Sequence, residues 1–285
     1  MEGKAAISFE YFPPKTEAGK TKLLEETTPA LCSANPAYFS VTYGAGGSTR
    51  DNTRGAVLAL KERGQTVAPH LSFGLDDEEA ISTLLDGYRA AGVNRLVALR
   101  GDLPSGSGAG ARLVYANELV EFVRKHSGDH FHIEVAAYPE IHPQAESYES
   151  DIGYLRGKFD AGADSAITQY FYNVESYFYF LDRCADAGID KPIYAGIMPI
   201  TNFSSLARFS KNCGAEIPRW IVKRLEGFGD DSKSIRAFGI DVVTQLCATL
   251  LENGTPGIHF YTMNQAEPTL QICKNLGIVS EQASS

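Results

Sequence analysis

The feature that most constrains this chain is a repeat in its punctuation. Short runs rich in β-branched and aromatic residues recur at Ile7 to Phe12, Tyr38 to Tyr43, Thr66 to Phe73, Arg95 to Asp102, Phe131 to Pro139, Ser165 to Tyr172, Pro192 to Pro199 and Gly257 to Asn264. Their starts lie 31, 28, 29, 36, 34, 27 and 65 residues apart. The first six gaps suit a strand plus one helix, and helical patterns fill them at Thr53 to Arg63, Asp77 to Ala91 and Leu113 to His126. The last gap is long enough for extra helices. A glycine stands at the end of each helical pattern before the next strand: Gly64, Gly92, Gly128, Gly162, Gly188 and Gly254. Glycine ends helices there because it takes the left-handed conformation without a Cβ clash. Alternating strand and helix units with right-handed crossovers build an open doubly wound sheet or a closed barrel, and eight strands favour the barrel. The expectation is a single (β/α)8 barrel over residues 1–285, with extra helices before the last strand.

Composition narrows function by exclusion. The 285 residues are 44% hydrophobic and 21% charged, which are globular values. No run approaches the roughly 18 consecutive apolar residues of a membrane span. With 26 Lys+Arg against 35 Asp+Glu the formal charge is −9, which repels polyanions and argues against nucleic acid as a partner. The start, Met1 to Ile7, has no long apolar stretch, so a cytoplasmic protein is expected. The five cysteines, Cys32, Cys184, Cys213, Cys247 and Cys273, are scattered, without metal or disulfide spacing, and read as packing residues. His126, His130 and His132 are too loosely grouped for a metal site. Neither Gly44-Ala45-Gly46-Gly47-Ser48-Thr49-Arg50 nor Ser105-Gly106-Ser107-Gly108-Ala109-Gly110 is a dinucleotide fingerprint or a P-loop, and no nucleophile elbow is present. The first of these loops follows a strand, where its amides can meet an anion. The aromatics Tyr170 to Tyr172 and Tyr177 to Phe180 suit either a subunit contact in a homo-oligomer or the core.

Alternate strand positions face opposite sides. Parity sets Ile7, Phe9 and Tyr11 against Ser8 and Glu10, Phe39 and Val41 against Ser40 and Thr42, and Val67, Leu71 and Phe73 against Ala68, His70 and Ser72. On strand 4 it sets Val97 and Leu99 against Ala98, Arg100 and Asp102. The small and polar set is expected inside. Glu10, His70, Arg100, Asp102, Tyr138 and Gln169 would then gather near strand ends, where burial without partners or ligands is costly. Glu10 sits between aromatics, where desolvation raises a carboxyl pKa and makes a general acid; an ion pair with an inward arginine is the plainer alternative. Arg100-Gly101-Asp102 offers a phosphate-binding cation, close backbone approach and an acceptor for an N–H edge, or else a local ion pair.

Nine strings together resemble one family. They are Ser8-Phe9-Glu10-Tyr11-Phe12-Pro13-Pro14-Lys15, Ser40-Val41-Thr42-Tyr43-Gly44-Ala45, Ala68-Pro69-His70-Leu71, Leu99-Arg100-Gly101-Asp102-Leu103-Pro104, Ala137-Tyr138-Pro139-Glu140-Ile141-His142-Pro143, Asp160-Ala161-Gly162-Ala163, Ile167-Thr168-Gln169-Tyr170-Phe171, Gly196-Ile197-Met198-Pro199-Ile200 and His259-Phe260-Tyr261-Thr262-Met263-Asn264. In order along the chain they resemble the methylenetetrahydrofolate reductases, in the short bacterial form. That resemblance implies FAD held across the top of a (β/α)8 barrel, with NAD(P)H and 5,10-methylenetetrahydrofolate as substrates. It implies that Thr42, Tyr43, Ala45 and His70 lie along the flavin and that Arg100, Gly101 and Asp102 meet its ring or ribityl-phosphate side. Tyr115, Ala116, Tyr138, His142, Ala145, Asp151 and Lys158 would line the rest of the cofactor, with Lys158 on the diphosphate. Asp102 and Gln169 would hold the pterin, Glu10 would be the acid, and Phe209 would stack on the extended part of the ligand. The chain departs from the pattern at Gln265, where an arginine is expected near the folate tail, at Gly157, where a second basic residue often stands, and at Ser205. Rival readings are another flavin barrel, of the proline dehydrogenase kind, and a flavin- or folate-binding protein without turnover.

Overall fold

A computed structural model describes residues 5–43, 47–73, 77–100 and 115–280. The expected runs form β1 (Ala6–Tyr11), β2 (Tyr38–Val41), β3 (Val67–Leu71), β4 (Arg95–Ala98), β5 (His132–Ala137), β6 (Ser165–Thr168), β7 (Ile193–Ile197) and β8 (Gly257–Tyr261). All pair in parallel with their neighbours, and β8 returns to β1, closing the barrel. Closure satisfies every strand edge and leaves two kinds of side-chain position, lumen and helix layer.

Between the strands run α1 (Glu17–Lys22), a π-helical turn (Leu23–Thr27), α2 (Thr28–Cys32), α3 (Gly47–Glu62), α4 (Glu78–Ala90), α5 (Ala116–Ser127), α6 (Tyr148–Asp160) and α7 (Val174–Asp186). The extra helices before β8 are α8 (Phe203–Cys213), α9 (Arg219–Phe228) and α10 (Ser232–Glu252), and α11 (Glu267–Asn275) follows it. Their N-termini face the mouth where the strands end. There Asp77, Ser147 and Asn202 accept from Ala80, Ser150 and Ser205 N–H at 2.8, 3.1 and 2.8 Å, supplying partners for amides that have none within the helix. The six expected glycine stops all adopt positive φ, from 58° at Gly128 to 113° at Gly162.

The observed strands are shorter at their C-terminal ends than the apolar runs. β8 stops at Tyr261 because Met263 and Asn264 take φ of 53° and 57°, which no ladder accommodates. Asn264 then clasps the turn to β1, accepting from Phe12 N–H at 2.8 Å and donating to Phe12 O at 2.9 Å.

The outer faces of the strands carry the main core, with Phe9, Tyr11, Phe39 and Phe260 at 0–1% exposure under the helices. Tyr170, Phe171, Tyr172, Tyr177 and Phe180 belong to this core and pack within the chain, while Phe178 is half-buried and Tyr179 exposed. α10 is apolar and long enough to cross a membrane by length and composition. It buries Ile235, Val243, Cys247 and Leu250 against the barrel, and Gly239 makes that docking possible. A Cβ there would lie 2.2 Å from Ile200 O. Gly239→Ala should therefore destabilise the fold by about 1–3 kcal/mol through overpacking. Gly55→Ala, within α3 with open space around it, should instead stabilise by about 0.5–1 kcal/mol. Urea unfolding of the two variants beside wild type checks both signs.

Candidate functional site at the C-terminal mouth

Register decides what enters the lumen, because in-register residues of neighbouring parallel strands point the same way. Glu10 pairs with Ser40 and Tyr261, and Ser8 with Tyr38 and His259. Ser40 pairs with Ala68, His70 with Val97, and Val97 with Glu134. Tyr38, Ala68, Val97 and Ile167 form a cluster inside the barrel, separate from the outer core that holds Phe9, Val41, Leu71 and Ala98. The expected inward set thus holds on β1, β2 and β3. On β4 the expectation is reversed: Val97 faces the lumen and Ala98 the helix layer, so Arg100 is not a lumen residue by parity. Ala98 is small enough to read as lumen-facing, but the hydrogen-bonded register with His70 overrides size.

At the mouth, Glu10 keeps 12% exposure of its side chain. Its Oε2 lies 3.4 Å from His70 Nε2 and 3.8 Å from His259 Nε2. No arginine meets it in these contacts. Burial pushes the Glu10 carboxyl above its ordinary value, against the opposing pull of His70. The same burial pushes His70 down to about 4, opposed by Glu10, and His259 to about 4, opposed by Glu134. Desolvation therefore favours a neutral acid among neutral imidazoles rather than an ion pair. Two other contacts fix β1 and the lid of the lumen: Thr262 Oγ1 donates to Glu10 O at 2.6 Å, and Tyr261 OH donates to Thr168 O at 2.7 Å. Gly196 permits the second, since a Cβ there would lie 1.9 Å from Thr168 O and 2.9 Å from the Tyr261 hydroxyl.

A cradle forms on the β5 and α6 side. The Tyr138 ring meets His142 edge-on at 4.5 Å. Asp151 Oδ2 accepts from His142 N–H at 2.8 Å, and Ala145 N–H donates to His142 O at 2.9 Å. Lys158 Nζ donates to Ala136 O at 2.7 Å, and Arg100 Nη1 to Gln144 Oε1 at 2.5 Å. Burial lowers the Lys158 ammonium to about 8, with Asp151 opposing and the Arg100 charge adding to the drop. Burial raises the Asp151 carboxyl, against its bond from His142 and the charges of Lys158 and His142. Tyr138, His142, Ala145, Asp151, Lys158 and Arg100 are thus brought together as one polar wall.

Thr42 N–H bonds Tyr11 O at 2.9 Å at the end of β2, and Tyr43 packs beside the core. Tyr115, 55% exposed, and buried Ala116 open α5 at the same face. Gln169 follows β6, its Oε1 accepting from Tyr170 N–H at 3.0 Å, and shares a small pocket with Tyr138, Glu140, Tyr170 and Cys213. Ile141 lines that pocket with φ of 67°, a costly conformation for a β-branched residue. Phe209 is half-buried on α8 under the Arg208 guanidinium, and the next residue, Ser210, meets Tyr170 OH at 3.0 Å. Gln265 stands apart, exposed, its backbone N–H bonded to Thr262 O. Ala45, Gly101 and Asp102 lie outside the described residues.

Sequence reasoning missed the lower half of the lumen. Glu134, fully buried, accepts from Tyr38 OH at 2.8 Å and pairs with Arg95 at 3.1 Å, while Arg95 also lies 4.4 Å over the Tyr38 ring. The signal was present as inward parity of Tyr38, Glu134 and His259, but each sits in an apolar run that reads as core.

A parallel eight-stranded barrel with a desolvated acid and a cation-bearing wall at its C-terminal mouth has the design of a barrel enzyme acting on a polar small molecule. Comparison with known proteins narrows that class. The sequence profile described as "Methylenetetrahydrofolate reductase" matches residues 1–277. Over 279 residues the chain is 39% identical to the 5,10-methylenetetrahydrofolate reductase of Escherichia coli (strain K12), covering 98% of this chain and 93% of that one. It is 37% identical to "Methylenetetrahydrofolate reductase (NADH) 1" of Arabidopsis thaliana, covering 100% of this chain and 50% of the plant protein. Among solved structures, an uncharacterised Clostridium thermocellum protein described as binding two copies of 5-methyl-5,6,7,8-tetrahydrofolic acid superposes with a TM-score of 0.69 at 18% identity, a likeness of fold. This chain belongs to the methylenetetrahydrofolate reductase family.

The raised Glu10 pKa carries a stability consequence. A carboxyl whose pKa is higher folded than unfolded favours the folded state at low pH and costs stability as pH rises through the folded value. Glu10→Gln removes that cost, so the variant should be at least as stable as wild type at pH 8, the gap closing toward pH 4.5. Thermal melts across that range check it.

Proposed function

We propose that this chain reduces 5,10-methylenetetrahydrofolate to 5-methyltetrahydrofolate with FAD as cofactor and NAD(P)H as reductant, the two substrates using one site in turn. The observation that carries this reading is Glu10, a carboxyl that burial pushes above its ordinary value at the mouth of the barrel, beside His70 and His259. The reaction consumes one proton besides the hydride, and a buried protonated carboxyl is its natural source.

The residues present suit FAD. Lys158 and Arg100 are near enough to repel each other's charge, in a chain of net charge −9; two cations held together against that repulsion fit a diphosphate. Tyr138, His142 and Tyr115 supply ring faces and edges beside them. Bound there, FAD would supply two-electron hydride chemistry at its N5, which no side chain offers.

Glu10 protonates the folate N10, the C–N bond to the bridging methylene breaks, and the iminium left on N5 of the folate accepts the hydride at its methylene carbon. His70 and His259, both neutral, surround the carboxyl without an adjacent cation to draw its proton away. Gln169 hydrogen-bonds the pterin edge, and Asp102 joins it by the family resemblance. Phe209 stacks on the extended part of the folate, while Gln265, in place of an arginine, offers no charge to the tail. The name of the Arabidopsis relative favours NADH as reductant.

Anaerobic spectroscopy separates the two half-reactions. Glu10→Gln should still be bleached by NADH but recolour on methylenetetrahydrofolate at least about 100-fold more slowly than wild type. Wild-type-like recolouring would remove Glu10 from the acid role. A protein bleached yet never recoloured by the folate would be another flavin oxidoreductase, and one that binds flavin but is not bleached would be a binding protein. FAD affinity should fall as pH rises through about 8, where Lys158 loses its proton; Lys158→Gln should bind FAD more weakly with a flatter pH dependence, measured by flavin fluorescence titration.

A further inference from the structure

Among the described residues five large apolar side chains stay exposed: Phe12, Tyr115, Tyr154, Tyr179 and Trp220. Trp220 packs edge-on against Phe238 and Tyr179 tilts against Tyr148, whereas the Phe12 ring, 42% exposed, has no aromatic neighbour among those residues. Its backbone is nevertheless held firmly. β1 ends at Tyr11, and Pro13 has no N–H with which to continue the ladder. Side chains from the turn after β8 take over there. Thr262 Oγ1 donates to Glu10 O at 2.6 Å, Asn264 Oδ1 accepts from Phe12 N–H at 2.8 Å, and Asn264 Nδ2 donates to Phe12 O at 2.9 Å. Asn264 makes this clasp from a left-handed conformation, φ 57°, next to Met263 at 53°. Side-chain-bearing residues adopt that conformation under strain, which persists where the surrounding structure holds it in place.

A residue that precedes proline is confined to extended backbone, so the strand alternation carries one step past β1. Phe12 therefore shares the face of Glu10, while Tyr11 between them turns the other way and is fully buried in the outer core. Two extended residues span about 6.6 Å, which sets Phe12 one layer outward from the acid, at the open mouth. Glu10, as the donor to the folate N10, fixes where that nitrogen sits. N10 is bonded directly to the p-aminobenzoyl ring, so that ring falls beside a side chain one layer from the acid. We propose that Phe12 packs on the p-aminobenzoyl ring of the folate, and that Asn264 is the positioning residue that holds it there. This rests on the reading of Glu10 as the acid at N10. The clasp orders Phe12 before the ligand arrives, which spares that cost at binding. A planar ring against the Phe12 face covers apolar surface that the free protein leaves in water.

The test is stopped-flow reoxidation of the NADH-bleached holoenzyme over a range of methylenetetrahydrofolate concentrations, which separates the half-saturating concentration from the limiting rate. Phe12→Leu keeps apolar bulk and loses the ring; its half-saturating concentration should rise roughly tenfold, with the larger part of the loss there rather than in the limiting rate, as for a contact made equally before and during the reaction. Asn264→Gly takes the same φ without strain and deletes the clasp alone, so the turn survives and the half-saturating concentration should again rise. Because the clasp acts through the ring it holds, the double variant should be no worse than Phe12→Leu by itself. An unchanged half-saturating concentration in Phe12→Leu, a loss confined to the limiting rate, or additive losses in the double variant overturns the proposal. Failure of the acid reading shows separately, as a Glu10→Gln enzyme that recolours normally with folate, whereas failure of the Phe12 contact leaves Glu10→Gln slow.

Discussion

The arrangement at the mouth depends on the parallel register that runs from β8 through β1 to β3. A closed barrel offers no edge at which a strand can slip, and a one-residue slip would turn every side chain to the other face. Glu10 paired with Tyr261 and Ser40, and Ser8 paired with Tyr38 and His259, put an acid above a layer of polar side chains in the lumen. Barrel interiors of this class are usually filled by branched apolar residues. Here Val97 and Ile167 occupy that role on β4 and β6, with Ala68 and Tyr38 in the same cluster.

Polar residues in such a place need partners, and they stand in two tiers, with His70 Nε2, Arg95 Nε and Glu134 Oε2 left without a protein hydrogen-bond partner. The lower tier is anchored by the Arg95–Glu134 pair, which Tyr38 and Ser165 join. The upper tier, Glu10 with His70 and His259, lacks a strong ion pair, and desolvation drives all three toward neutrality. In the proposed reaction that contrast would have a use, with charge held in the lower tier and a proton kept on Glu10 for the folate. Beside it stand Lys158 and Arg100, the two cations proposed to meet the cofactor's anionic oxygens. Strained backbone at Ile141, Met263 and Asn264 borders the same mouth, as expected where a site rather than the core dictates conformation.

Much of this was legible in the residues. The spacing of eight apolar runs and the six glycines between them follow from local physics, since strand propensity and left-handed helix stops act within a few residues. The inward face of β1, β2 and β3 was legible too, because polar and apolar residues alternate cleanly there. On β4 the alternation sets Val97 and Leu99 against Ala98, apolar on both sides, and the sequence signal points the wrong way. Tyr38, Glu134 and His259 escaped notice because each lies in an apolar run and its partners stand on distant strands, 96 residues apart for Tyr38 and Glu134.

By itself, the sequence determined the order of elements, the eightfold count that favours closure, the residues of the candidate acid and cofactor wall, and the family they resemble. Those properties are set by short-range pattern and by residue type. Only the tertiary structure decided which face of β4 looks inward, that Glu10 is flanked by two imidazoles rather than an arginine, and that Glu134 meets Tyr38 and Arg95 inside the lumen. These depend on distances between strands far apart in the chain, which closure of the barrel sets and no local pattern encodes.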